Sequence, residues 1–164
     1  MNKFSKNIIT GLILFAGIST SVVYTSNTNI TNIQAAKTVK KLSPNSEYPN
    51  IKSKYDISNM SQYSSDDLFD SVTLNKFYVK NWGYNKYMGD RHLLLTPTKN
   101  SNQYFLVVTK TKKVFKGDKI TVQGSLNGLS EINHAQIKVG IQSKYLNKPD
   151  TLVLADKVAI YHTK

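Results

Sequence analysis

Lys116-Gly117-Asp118-Lys119-Ile120-Thr121-Val122-Gln123-Gly124-Ser125-Leu126 is the stretch that decides the fold class. Its Gly-Asp pair marks a turn. Beyond it, Ile120, Val122, Gly124 and Leu126 alternate with Thr121, Gln123 and Ser125, the period of two of a strand with one apolar face. Upstream, Gln103 to Thr109 holds Tyr104-Phe105-Leu106-Val107-Val108, and Arg91 to Pro97 holds Leu93-Leu94-Leu95. The polar run Thr98 to Asn102 between them is turn-like, so the two segments predict a hairpin. Ser71 to Lys80 is rich in β-branched and aromatic residues, but its apolar parity changes between Val72/Leu74 and Phe77/Val79. A strand cannot change phase without an extra residue, which predicts a β-bulge near Asn75-Lys76. Downstream, Asn127-Gly128 reads as a turn, Ala135 to Ser143 as a weaker strand, and Leu152 to Tyr161 as the last strand behind Lys148-Pro149-Asp150.

Five principal strands without a long helical period predict an all-β fold, a small five-stranded antiparallel β-barrel, with a sandwich as the alternative. The order of features resembles an OB-fold of the tRNA-anticodon-binding-like type. A long bent first strand and a hairpin are followed by the turn and strand Lys116 to Gly124, then by the closing Leu152-Val153-Leu154-Ala155-Asp156-Lys157-Val158. The resemblance covers residues 69–162 and implies a binding surface on the loop between the first two strands. It departs from that group between the third and fourth strands, where Lys110 to Lys116 is too short and too basic for the usual helix.

The barrel is assigned residues 69–164. Residues 37–68 form a polar arm, read as a linker or an extended strap with Pro44 and Pro49. Within it, Ser64-Ser65-Asp66-Asp67 offers a hydroxyl and carboxylates to the free N–H groups of a short helical turn. The same acids lack the ligand spacing of a calcium loop. Residues 1–36 read as a signal peptide. Lys3 and Lys6 precede a run from Ile8 to Tyr24 without charge, and Ala35-Ala36 offers a cleavage point. An uncleaved anchor is the alternative. The expected location is therefore extracellular, with association to the cell envelope as a variant. The leader, the absence of cysteine and the Lys/Asn/Tyr-rich composition resemble exported proteins of low-GC Gram-positive bacteria such as staphylococci.

Charge is unevenly spread. The 164 residues contain 22 Lys+Arg against 10 Asp+Glu. Residues 37–70 balance five lysines with five acids, whereas residues 71–164 carry 15 basic groups and five acids. Two clusters stand out on this basic part. Lys76 to Arg91 holds the single Trp, three Tyr and four basic residues, and its candidate ligand-binding residues are Lys80, Trp82, Tyr84, Lys86, Tyr87 and Arg91. Aromatic faces stack on rings while cations neutralise anions. The competing reading has Phe77, Val79 and Trp82 plugging the barrel end. The second cluster, Lys110, Lys112, Lys113 and Lys116, is a candidate polyanion site, with a solubilising lysine edge as its plain alternative.

Other classes find less support. With one Arg against 21 Lys, bidentate readout of guanine edges is nearly absent, which argues against sequence-specific nucleic-acid binding. His92, His134 and His162 stand far apart in the sequence, no HExxH, GxSxG or P-loop pattern occurs, and there is no cysteine nucleophile. No catalytic residue, metal site or cofactor is expected. Staphylococcal-type nucleases share the barrel, but their carboxylates and arginines around calcium have no counterpart here. The expectation is a monomeric, non-enzymatic binding module for an anionic or protein ligand. Its alternative is an envelope-associated structural protein held electrostatically on anionic wall or membrane polymers.

Overall fold

The computed structural model describes residues 37–60, 63, 65–111 and 113–162; the expected signal peptide lies outside the described residues. In chain order the elements are β1 (Lys37–Thr38), α1 (Ile51–Lys54), β2 (Ser71–Asn85), β3 (Asp90–Thr96), β4 (Tyr104–Thr109), β5 (Lys119–Glu131), α2 (His134–Lys138) and β6 (Pro149–Tyr161). Strands β2 to β6 form a closed barrel of five, because β5 pairs with both β2 and β6. Closure removes the sandwich alternative. The β2–β3, β3–β4, β5–β6 and β2–β5 pairings are antiparallel, and β4–β6 is parallel. The circular order β2-β3-β4-β6-β5 is compatible with an OB-like fold.

The expected bulge is present. The β2–β5 register shifts between Leu74 and Phe77, and Lys76 adopts φ 54°. Across that kink Leu74, Phe77 and Val79 all point into the barrel. They meet Leu93, Leu95, Phe105, Val107, Ile120, Val122, Val153 and Val158 in the main core. Phe77 and Phe105 stack edge to face at 5.2 Å between ring centroids. A second shift falls between Val79 and Asn81, and a third pairs β5 with β6 across Gln123 and Gly124. At Gly124 the β6 backbone passes so close that a Cβ would lie 2.0 Å from the Leu154 carbonyl oxygen. Only glycine fits that crossing.

The outward side of β3 and β4 is buried as well. Leu94 and Tyr104 pack with Ile132, Ile141 and Tyr145 in a second cluster, and Leu106, Val108 and Leu152 form a third beside it. This explains why Leu93-Leu94-Leu95 and Tyr104 to Val108 are continuous apolar runs: a strand covered on both faces has no reason to alternate. The cover comes from residues 132–148. Val139 O accepts from Tyr84 N at 2.7 Å, and Gln142 N donates to Asn81 Oδ1 at 3.3 Å. Gly83 permits this approach, since a Cβ there would lie 2.6 Å from Val139 O.

Residues Ala135 to Ser143 are therefore not the weaker strand expected of them; α2 occupies their first part. The Asn133 side chain accepts from Ala135 N, and the Gln136 side chain accepts from Asn133 N, a reciprocal cap that starts a helix. Asn127-Gly128 is also not a turn between strands. It lies inside β5 as an irregularity between Leu126 and Leu129, with Gly128 at φ 103°.

The polar arm packs against the barrel. Lys37–Thr38 pairs in parallel with Lys157–Val158, Ser43 O accepts from Gln123 Nε2 at 2.9 Å, and Tyr48 OH donates to Asp156. Ile51, Met60 and Tyr63 join the main core near the start of β2. Polar contacts also tie the arm to the start of the barrel: Tyr55 OH donates to Asp67 and Asp70, and Lys54 Nζ lies 2.6 Å from Asp70.

Candidate functional site

Strand β2 does not stop at Lys80 as its composition suggests; it continues to Asn85 and pairs with Asp90 to Leu94. The stretch Trp82 to Arg91 is consequently a hairpin, with only Lys86 to Gly89 in the turn. Asn85 makes that turn: its Oδ1 accepts from Tyr87 N and Met88 N, and Gly89 takes φ 68° to return the chain. Extension of the strand matters chemically. Strand alternation places Trp82 and Tyr84 on one side, while Gly83 faces Val139 on the other.

Arg91 stands opposite Tyr84 in the register and so shares that side. Its guanidinium carbon lies 4.8 Å from the Trp82 ring centre and 5.1 Å from that of Tyr84. Its Nε donates to Thr111 O at 3.1 Å, which fastens the hairpin to the lysine-rich loop after β4. Trp82 and Tyr84 remain 37% and 42% exposed, and the register sets Trp82 opposite the core residue Leu93, so the indole lies on the inner face at the open end of the barrel. Phe77 and Val79 are the buried apolar side chains of this segment. At the turn Lys86 is exposed, and Tyr87 and Met88 project fully or largely into solvent. Lys80 is directed elsewhere: from the second bulge of β2 its Nζ donates to Lys99 O at 2.6 Å.

The lysine loop is well fastened despite its charge. Val114 enters the main core, Gly117 N donates to Val79 O, and Val79 N donates to Asp118 O. Asp118, the only acid of Lys110 to Lys119, is itself buried and turned to local work. One of its carboxylate oxygens accepts from Phe115 N at 2.8 Å and meets His162 Nδ1 at 2.9 Å. Lys110, Lys113 and Lys116 are exposed, and Lys112 lies outside the described residues. Beyond Tyr78, β2 pairs with β3 on one side, and this loop bonds its other edge at Val79.

A second basic region has no counterpart in the sequence reading. Tyr78, Val79, Lys80, Lys99, Lys116, Gly117, Lys144 and Tyr145 line an open pocket of about 390 Å3. Its lysines come from four separate segments: β2, the β3–β4 turn, the loop after β4 and the 143–145 turn. Sequence windows register clusters along the chain, and this one exists only across it.

The histidines stay apart. His92 lies 3.5 Å from Asp90, His162 contacts Asp118, and His134 is exposed at the start of α2. Among the described residues no group of three or more His, Cys, Asp or Glu side chains is placed to hold a metal. Nor does any described helix have the length and apolarity to cross a membrane. One carboxyl is strongly perturbed: burial pushes Asp150 up to about 7, against the opposing hydrogen bond from Ser130 Oγ to its Oδ1 at 3.2 Å. That group lies at the start of β6, paired with Tyr104 and Ser130. No protein-family model, no curated protein and no solved structure matches this chain.

Proposed function

We propose that the chain is a secreted, non-enzymatic binding module of a Gram-positive bacterium, capturing an anionic ligand on the hairpin between β2 and β3 and the adjoining lysine loop. The observation that carries the reading is the position of Arg91, stacked against Trp82 and Tyr84 and bonded to Thr111. One cation thereby joins an exposed aromatic pair to Lys110 and Lys113, the two kinds of surface that together bind charged rings and chains. The fold alone implies no ligand. Export is supported by the leader pattern of residues 1–36.

Sedimentation of the protein with isolated cell walls and with soluble polyanions, at low and at moderate salt, tests this reading. Replacing Trp82 and Tyr84 together with alanine should cut binding about tenfold, the weight of one or two lost stacking contacts. Binding untouched by that pair of changes rules out a role for the hairpin. A second reading, electrostatic retention on the envelope, rests on Lys110, Lys113 and Lys116 being exposed while Asp118 turns inward. Mild salt should then release the protein from cells, and Lys113→Glu with Lys116→Glu should do the same.

A further inference from the structure

The pocket beside Tyr78 gathers Lys80, Lys99, Lys116 and Lys144, and no carboxylate is among its lining residues. Ammonium groups crowded within about a Debye length, near 8 Å at physiological salt, repel one another and would ordinarily splay into water. Lys99, Lys116 and Lys144 are exposed here, as that repulsion requires. Lys80 is bonded to the Lys99 carbonyl, Lys99 Nζ lies 5.9 Å from the Tyr78 ring centre, and Lys119 Nζ lies 5.3 Å from that same centre. Lys144 Nζ sits 5.2 Å from the Tyr145 ring centre. Ring–cation attraction thus keeps Lys99 and Lys144 beside the basin, and Tyr145 is itself anchored in the second apolar cluster.

From this grouping of four lysines without a carboxylate we infer that the basin is a binding site for a clustered oxyanion, a compact organic unit bearing at least two phosphate or sulfate groups. It is separate from the hairpin surface, because it uses the outward side of β2 rather than the side bearing Trp82. Several lysines around one opening are neutralised together by a multiply charged ligand and poorly by a single charge. Lysine supplies compact point charges with three donors and no fixed fork, so the site selects charge density over planar shape. A space of about 390 Å3 is in the range of small-ligand pockets and exceeds what a lone phosphate fills. Val79 and the tyrosine rings form an apolar floor for the skeleton that carries the charges.

Titration calorimetry on the full chain with inorganic tripolyphosphate and with sucrose octasulfate tests the site and separates a phosphate source from a sulfate source. At least one probe should bind with one-to-one stoichiometry. Lys99→Gln with Lys144→Gln should weaken it about tenfold or more, as expected for lost charge-assisted hydrogen bonds. Both side chains are exposed, so thermal unfolding should not change. The amide resonances of Tyr78, Gly117 and Lys144 should shift on titration, and a probe that shifts only those of Trp82 to Arg91 overturns the inference. Failure of both probes to bind overturns the inference, as does a double variant that keeps its affinity within about twofold. Either result leaves the hairpin reading standing, since that reading fails only through Trp82 and Tyr84.

Discussion

The barrel interior and the outward cluster beneath residues 132–148 are both apolar and buried, but they are assembled differently. Inside, side chains from all five barrel strands and from the arm converge on Phe77 and Phe105, so every element contributes to one shared volume. Outside, Leu94 and Tyr104 are covered by a single excursion of the chain, held by Ile132, Ile141, Tyr145 and a few backbone bonds. The difference teaches that loss of the interior should be global, while loss of the cover should be local.

The strongest way to break this contrast is Phe105→Ala. It empties the centre of the barrel and should cost about 3–5 kcal/mol, lowering the denaturant midpoint of every probe together. Next is the buried carboxyl at the boundary between the two regions. Asp150 binds its proton more tightly folded than unfolded, so its contribution is fully present below about pH 4 and lost as pH rises toward about 7. Stability should fall by a few kcal/mol across that window, and Asp150→Asn should flatten the profile in chemical denaturation at several pH values. The mildest and most discriminating change is Gly83→Ala. Its Cβ would push against Val139 O, and the expected cost is about 1–3 kcal/mol. Hydrogen exchange should rise at residues 132–148 and stay unchanged at Phe105 to Val107; acceleration in both would erase the distinction.

Much of the inner layer was legible because strands with one apolar face announce themselves. Ile120 to Leu126 alternates, and the phase change between Leu74 and Phe77 marks the bulge in the sequence itself. The outer layer was harder to read. Leu93 to Leu95 shows an apolar run without saying what covers its second face. The helix of residues 134–138 did leave a signal, Asn133 followed three residues later by Gln136, which the mixed apolar composition of Ala135 to Ser143 obscured. In the candidate site, Trp82, Tyr84 and Arg91 were singled out as neighbours in sequence, but their shared side depends on β2 continuing to Asn85. The pairing of Lys99 and Lys144 around Tyr78 and Tyr145 was invisible, because residues from four segments meet only once the barrel has closed.

The excursion over β3 and β4 has a consequence for how such a scaffold changes specificity. In many barrels of this strand order, that outward surface is where guests are received; in this chain it is already furnished from within. Under the proposed binding role, recognition falls to the rims, where Trp82, Tyr84 and Tyr87 are exposed. Substitution of those side chains would then exchange one guest for another while both apolar layers are left undisturbed.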